Sequence, residues 1–309
     1  MTTTYHKEYL LDRAAMLAMR AMVAVQPALE FGPEGRPGFD ALMEKTPAAD
    51  GVTCEAAEVG GVPGWRCRPA DAVAGAAILY LHGGAYVLGS AEAYRNLAGQ
   101  VAVRVRVAVF VADYGLAPER PFPSAPDDAQ AAYQGLATLG FSRVGLVGDS
   151  AGGGLALALL SQMAAAARGG LVPRPVAAAV MSPWIDLVLE GESMDARAGA
   201  DPLLTRKKLD DAARLYLGGH DRRDPRASPL YGTLAGLSPV LLHVGEDEVL
   251  LDDARRYAKG MEAAGSTAEL HVWQGMVHVF PANLAILRSA PEALDILGGF
   301  LLQYLADES

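Results

Sequence analysis

The sequence predicts an α/β fold, in which helices flank a mostly parallel central sheet and a helical cap packs above it. Two observations lead to this fold class. Short, almost wholly apolar runs recur along the chain, which is typical of strands buried on both faces. Helical stretches alternate with these runs, as expected where crossover helices join parallel strands. Residues 185–232 interrupt the alternation with two weak helical stretches and many charges, and they predict a helical cap insertion.

The elements follow in chain order. Residues 5–25 place apolar side chains at helical spacing and predict a helix that Pro27 ends, whereas residues 31–50 are rich in Gly and Pro and predict a loop. We therefore expect residues 1–50 to form an N-terminal cap segment and residues 51–309 to form the main α/β domain. The predicted strands of this domain are Val52–Val59, 64–68, Ala76–Leu81, 107–112, 143–147, 176–181, 240–244 and Ala268–Trp273. Its predicted helices are 92–103, 127–139, 151–167, 251–264 and 284–305.

Composition and charge narrow the class of partner. The chain has 309 residues, 51% of them hydrophobic, and a formal net charge of −10. This negative charge argues against nucleic acid or an anionic membrane as a partner, and a small molecule is the expected one. The sequence contains no uninterrupted apolar run of about 18 residues, so it predicts no transmembrane helix. The polar start of the chain makes a poor signal peptide, so we expect a cytoplasmic protein.

The two cysteines lie at equal distances from a predicted hairpin turn at residues 60–61. A symmetric register would therefore place Cys54 opposite Cys67. In a reducing compartment two free thiols are the expected state. The sequence leaves open whether the two side chains pair.

The main chemical signal is a short segment between a predicted strand and a predicted helix. Residues 148–152 read Gly-Asp-Ser-Ala-Gly, the pattern of a nucleophile elbow with Ser150 at its apex. The glycines leave space for a tight turn, and the following helix offers unpaired N–H groups to a developing negative charge. Ser150 is thus a candidate nucleophile.

A serine hydroxyl needs a base, and the sequence offers six histidines. Behind an elbow, the acid and then the histidine are expected on loops that follow later strands. His278 is the only histidine on such a loop late in the chain, since His243 and His271 lie inside predicted strands. We expect His278 to be the base.

The acid should follow the predicted strand 240–244. Glu246 is interpreted as a solvated turn residue, and Asp252 and Asp253 suit the first turn of the next helix. Asp247 and Glu248 remain, and composition and periodicity do not separate them.

Backbone donors for an oxyanion are expected on the loop after Ala76–Leu81, which reads His-Gly-Gly-Ala-Tyr over residues 82–86. The N–H groups of Gly83 and Gly84 are candidates, together with that of Ala151 behind the serine and, as a further candidate, that of Ala85. His82 is expected to orient the loop.

These residues resemble the bacterial hormone-sensitive-lipase-like esterases, the GDXG family of the α/β-hydrolase fold. Four blocks match in order and place: the loop at residues 80–90, a Tyr-Gly-Leu-Ala-Pro-Glu run within 113–123, the elbow at 148–153, and His278 after a Gly-Met-Val turn. The resemblance implies a serine carboxylesterase for short- to medium-chain acyl esters, with no metal or organic cofactor. It also implies a homodimer through the late strand and helix, near Ala268–Trp273 and 284–305.

The chain departs from the family pattern at two places. Ala85 replaces a glycine that is frequent in the family, and its N–H can still donate. The family typically shows Asp-Pro-Leu-x-Asp around its acid, and here only the frame acid-x-Leu-x-Asp fits, over residues 248–252 without a gap. The resemblance therefore favours Glu248 over Asp247 as the acid. Lactone, amide or deacetylation chemistry with the same three side chains stays open, as does a non-catalytic binding protein on the same fold.

Overall fold

The structure, a computed structural model, describes residues 1–25, 29–168 and 173–306. Within them, nine strands form one sheet in the order β1-β9-β8-β7-β6-β4-β5-β3-β2. Neighbouring strands are parallel except that β3 runs antiparallel to β2 and β5, which confirms the predicted fold class. The strands are β1 (Thr2–His6), β2 (Val52–Val59), β3 (Val62–Pro69), β4 (Ala76–Leu81), β5 (Ala108–Ala112), β6 (Arg143–Asp149), β7 (Ala178–Met181), β8 (Val240–Gly245) and β9 (Ala268–Trp273).

Helices cover both faces of this sheet. They are α1 (Leu10–Val25), α2 (Arg36–Met43), α3 (Arg95–Val105), α4 (Ser124–Thr138), α5 (Ser150–Arg168), α6 (Ser193–Ala196), α7 (Arg206–Leu217), α8 (Leu251–Ala263) and α9 (Ser289–Leu305). Because side chains alternate along a strand, Leu79 and Leu81 pack into one core with α4, α5 and α8, while Ile78 and Tyr80 pack into another with α3 and α9. Because β4 to β9 run parallel, their carboxyl ends meet at one edge of the sheet.

The N-terminal segment differs from its prediction. The predicted helix 5–25 begins only at Leu10, and its predicted end at Pro27 lies outside the described residues. Residues 2–6 form β1, which pairs in parallel with β9 and covers the outer edge of that strand. The predicted loop 31–50 contains α2, whose Arg36 Nε donates to the Val87 carbonyl (2.9 Å). Both differences arise from partners that are distant in the sequence.

The insertion 185–232 carries two helices in its described residues, α6 and α7. The hydroxyl of Thr205 accepts from the Lys208 N–H and caps α7. Several of its charges pair at the surface, including Lys207 with Asp211. These exposed pairs indicate that the charges involved lie on a solvated face of the insertion.

The two cysteines form a disulfide, so the expectation of two free thiols is wrong. Cys54 and Cys67 are directly opposed in the β2–β3 register, with Cα atoms 4.1 Å apart. The symmetric hairpin that the sequence predicted places the two sulfurs within bonding distance.

One helix in the described part of the chain is long and apolar enough to cross a membrane, by length and composition alone. This stretch, Ser150–Ala167, is 72% buried inside the protein and belongs to α5. Its apolar composition reflects its place in the core beneath the sheet.

Candidate active site

The serine lies at the junction of β6 and α5, where the sequence predicts an elbow. Ser150 has φ of 52°, in the left-handed region that residues with side chains rarely adopt. The turn closes tightly because its glycines lack side chains. A Cβ on Gly148 would overlap the Gly152 carbonyl, and one on Gly152 would overlap the Leu81 carbonyl. The turn therefore holds the serine at the carboxyl edge of the sheet.

His278 lies directly against this serine. Its Nε2 is 2.9 Å from Ser150 Oγ, and its Nδ1 is 2.8 Å from Glu248 Oε2. Because an ionised carboxylate only accepts hydrogen bonds, Nδ1 carries the ring proton and Nε2 accepts from the hydroxyl. The structure thus brings Ser150, His278 and Glu248 into one chain of hydrogen bonds, which we call the relay.

The two acids that the sequence could not separate have different surroundings. Glu248 is fully buried, and its Oε1 accepts from Ser182 Oγ (2.8 Å) and Gly245 N–H (2.6 Å). Asp247 is 26% exposed, and its Oδ2 lies 2.8 Å from Nη2 of Arg20, a residue of α1. The structure therefore brings Glu248, and not Asp247, to His278.

Burial and charge act on the His278 ring in opposite directions. Burial alone would lower the pKa of His278, since it disfavours the charged ring. The hydrogen bond and charge of Glu248, with the charges of Asp201 and Asp149, outweigh burial and raise the pKa of His278 above its ordinary value. The ring is neutral, and able to accept a proton, above that raised value.

The predicted oxyanion donors lie on the oxyanion loop, residues 82–88, and at the start of α5. The structure corrects one of them. The N–H of Gly83 donates to Asp149 Oδ1 (3.2 Å), so it is not free for a substrate. The N–H groups of Gly84, Ala85 and Ala151 have no hydrogen-bond partner within the part of the chain that the structure describes. The geometry therefore removes Gly83 from the candidate donors and keeps the other three.

The oxyanion loop is strained and held from outside. Ala85 and Tyr86 have φ of 55° and 63°, in the left-handed region. The Tyr114 hydroxyl donates to the His82 carbonyl (2.6 Å) and its ring stacks on the imidazole, and Ala117 N–H donates to the Tyr86 carbonyl (2.9 Å). His82 is buried here, and its Nδ1 lies 2.8 Å from the Gly83 carbonyl oxygen; that it orients the loop stays a prediction.

The other histidines lie away from the serine. His6 Nε2 is 2.8 Å from His271 Nδ1, across the β1–β9 pair. His243 is buried and accepts from Trp273 Nε1 (3.0 Å), and His220 packs edge-on against a phenylalanine ring. Each has a packing or hydrogen-bond role. In the described residues, no group of three or more His, Cys, Asp or Glu could hold a metal ion.

Sequence reasoning missed two residues that support the relay. Ser182 Oγ donates to Glu248 and accepts from Val279 N–H (3.0 Å), so it ties the acid to the histidine loop. Asp201, in the insertion, accepts from Val249 N–H (3.0 Å). Ser182 directly follows β7 at the carboxyl edge of the sheet, and this position was the signal that could have identified it.

Three aromatic side chains near the elbow connect it to the insertion. Tyr86 of the oxyanion loop stacks on Tyr216 of α7, with ring centroids 3.8 Å apart, and Trp184 lies 6.0 Å from Tyr86. The backbone N–H of Trp184 donates to the Ser150 carbonyl (2.8 Å). A Cβ on Gly154, one helical turn beyond the serine, would lie 3.3 Å from the Tyr86 hydroxyl. The aromatic wall, Tyr86, Trp184 and Tyr216, is thus close to the serine.

Comparison with known proteins agrees with this arrangement. A family model described as alpha/beta hydrolase fold matches residues 78–282. An acetyl-hydrolase of Streptomyces hygroscopicus is 42% identical over 229 residues, which are 74% of this chain and 75% of the relative. An ethyl acetate hydrolase of Pseudomonas putida is 37% identical over 242 residues, which are 76% of this chain and 75% of the relative.

The solved structures point the same way. A crystal structure of an esterase from the bacterial hormone-sensitive lipase family superposes with a TM-score of 0.89. It is 37% identical, and the match covers 97% of this chain and 100% of the other. The chain therefore belongs to the hormone-sensitive-lipase-like esterases of the α/β-hydrolase fold, and it is a carboxylic ester hydrolase.

Proposed function

We propose that the protein is a serine carboxylesterase that works through an acyl-enzyme intermediate on Ser150. The observation that carries this proposal is the position of His278, with one ring nitrogen 2.9 Å from Ser150 Oγ and the other 2.8 Å from Glu248. These are hydrogen-bond distances for a nucleophile, its base and the acid that orients the base.

Acylation begins when His278 Nε2 takes the Ser150 proton and Oγ attacks the ester carbonyl carbon. The imidazolium that forms is stabilised by the buried Glu248 carboxylate. His278 then returns the proton to the leaving alcohol as the ester bond breaks. Water, deprotonated by the same ring, attacks the acyl-serine and releases the carboxylic acid.

The negative charge on the carbonyl oxygen is assigned to the N–H groups of Gly84, Ala85 and Ala151. They support this role because they lack a hydrogen-bond partner in the described residues and lie on the strained loop or at the start of α5. Fixed donors of this kind need no reorganisation when the charge develops, and loss of one costs about 10²–10³-fold in kcat.

The proposed substrates are esters with short- to medium-chain acyl groups, the short end preferred. The aromatic wall supports this preference because its bulky rings pack together close to the serine. Two relatives carry names that refer to acetyl esters.

Residues 1–50 and the insertion 185–232 are proposed to act together as the cap. Arg20 of α1 donates to the Ala200 carbonyl of the insertion and pairs with Asp247 beside the relay. These contacts join the two segments, which supports the proposal that they form one cap at the entrance to the site.

The location and the oligomeric state stay predictions. A disulfide is more typical of an oxidising compartment than of the predicted cytoplasm. Alkylation of free thiols in living cells, before lysis, would distinguish an oxidising compartment from the cytoplasm.

The predicted homodimer at the late strand has to accommodate β1, which covers the outer edge of β9. Light scattering gives the mass in solution.

A chain-length series of p-nitrophenyl esters, from acetate to palmitate, tests the proposed function. The wild type should hydrolyse the short esters fastest, and Ser150→Ala should reduce kcat by several orders of magnitude, about 10⁴-fold or more. Absence of hydrolysis across the series, or full activity in Ser150→Ala, would contradict the proposal.

A further inference from the structure

A second buried carboxylate lies beside the serine, outside the hydrogen-bonded chain of Ser150, His278 and Glu248. Asp149 is the last residue of β6 and is 1% exposed. In the described part of the chain it pairs with no Lys or Arg, although a carboxylate buried this deeply normally needs a charged partner. Hydrogen bonds, and not an ion pair with Lys or Arg, therefore have to stabilise this buried carboxylate.

Three donors from three segments converge on this carboxylate. Oδ1 accepts from the Tyr80 hydroxyl of β4 (2.9 Å) and from the Gly83 N–H (3.2 Å). Oδ2 accepts from the Tyr94 hydroxyl, just before α3 (3.0 Å). Asp149 thus joins the elbow to the oxyanion loop at the residue directly before two of the proposed oxyanion donors, Gly84 and Ala85.

The approach of the carboxylate to the loop requires a glycine. A Cβ on Gly83 would overlap Oδ2 of Asp149 and crowd the Tyr94 hydroxyl. A side chain at this position would separate the loop from the carboxylate.

The ionisable groups facing Asp149 are Tyr80 on β4, Tyr94 before α3, Tyr114 after β5 and His278 after β9. Burial raises the pKa of Asp149 to about 6, against the opposing effects of the two tyrosine hydrogen bonds, the His278 charge and the Gly83 N–H. This carboxyl therefore changes charge within the pH range in which esterases are assayed.

We propose that Asp149, as a carboxylate, is a positioning residue for the oxyanion loop, and that one proton bound there lowers activity in addition to the proton on His278. The inference rests on the proposed function. A hydrogen bond to an ionised acceptor is roughly twice as strong as one to a neutral acceptor. Protonation also turns one acceptor oxygen into a donor, which faces Tyr80, Tyr94 or Gly83. The bond that holds the loop then weakens.

The test is the acid limb of kcat/KM for p-nitrophenyl acetate, followed downward from about pH 9 to about pH 5. The wild type should lose activity with two protons, one on His278 and one on Asp149. Asp149→Asn should lose activity with one. Tyr80→Phe and Tyr94→Phe each remove a donor to the carboxylate, and each should move the second ionisation upward by about one pH unit.

Two tyrosine variants serve as matched controls. The Tyr114 hydroxyl holds the same loop through the His82 carbonyl, and the Tyr133 hydroxyl donates to Pro173 far from the site. Tyr114→Phe and Tyr133→Phe should leave the second ionisation where the wild type has it.

A single-proton acid limb in the wild type would overturn the inference. So would a second ionisation that persists in Asp149→Asn, or one that stays in place in both Tyr80→Phe and Tyr94→Phe. Infrared difference spectra of the wild type and of Asp149→Asn, both with ¹³C-labelled aspartate, need no activity. Both spectra share the other buried aspartates, such as Asp253, whose pKa burial also raises. Only the wild type should show a further buried carboxyl that titrates near the second ionisation, and its absence would also overturn the inference. Failure of the proposed function would instead appear as hydrolysis that survives Ser150→Ala.

Discussion

Two buried carboxylates flank the serine, and their surroundings differ. Glu248, on the relay side, faces the His278 ring, which becomes a cation during the proposed reaction. Asp149, on the oxyanion side, faces tyrosine hydroxyls and a backbone N–H. A buried carboxylate can thus stabilise a charge that appears during the reaction, or hold a loop in place before the reaction begins. The partner decides between these roles.

The largest expected effect concerns the relay side. Glu248→Ala should reduce kcat by about 10³–10⁴-fold, because His278 loses both its orientation and its counter-charge. Asp247→Ala is the matched control one residue away, and it should cost less than about tenfold, since its partner is Arg20. Steady-state kinetics of both variants decide the assignment, and the reverse order would contradict it.

The oxyanion side should respond less strongly. Gly83→Ala introduces a Cβ that overlaps the Asp149 carboxylate, which displaces the loop and should reduce kcat by about 10²-fold. KM for p-nitrophenyl acetate should change little. Gly299→Ala, where a Cβ meets no atom within 4 Å, is the control and should match the wild type. An unchanged kcat in Gly83→Ala would argue against the loop geometry.

The pH dependence separates the two carboxylates. His278 must be neutral to act as a base, so activity is lost as the pH falls through its pKa, which Glu248 holds above the ordinary value. Glu248→Gln removes that charge and should move this part of the acid limb to lower pH, by about one pH unit. The ionisation assigned to Asp149, near pH 6, should stay. An unchanged His278 ionisation, or one that shifts upward, would show that Glu248 does not raise the pKa of His278.

The smallest expected effect is on stability. Arg20→Met removes the partly exposed ion pair with Asp247, whose side chains are each 26% exposed. The free energy of unfolding should fall by about 1 kcal/mol or less, as is usual for such pairs. Urea denaturation measures the change. A loss of several kcal/mol would mean that this pair anchors α1 far more strongly than its exposure implies.

The sequence predicted the parallel core and the positions of Ser150 and His278 well, because these signals are local. Buried strands appear as apolar runs, and the elbow appears as a glycine pattern. It did not predict β1, since that strand forms only against β9, which lies more than 260 residues later. Nor did it predict the α2 helix, which contains Pro and Gly and whose Arg36 donates to the carbonyl of the distant Val87.

The site shows the same limit at finer scale. Two neighbouring acids look alike in the sequence, and only the fold shows that Arg20 meets Asp247 while His278 meets Glu248. Which glycine N–H groups stay free depends on the dihedral angles of the oxyanion loop. The bond from Gly83 to Asp149 joins residues far apart in the sequence, and spacing alone could not predict it.

Trapping the acyl-enzyme tests the central claim most directly. The protein is mixed with p-nitrophenyl acetate and quenched in acid within the first turnovers. It is then digested, and the peptide masses are measured by mass spectrometry. One acetyl group is expected on the peptide that contains Ser150 and none in Ser150→Ala, together with a p-nitrophenol burst of about one equivalent where deacylation is the slower step. Turnover with no acetyl group on Ser150 under any quench time, or with the group on another residue, would contradict it.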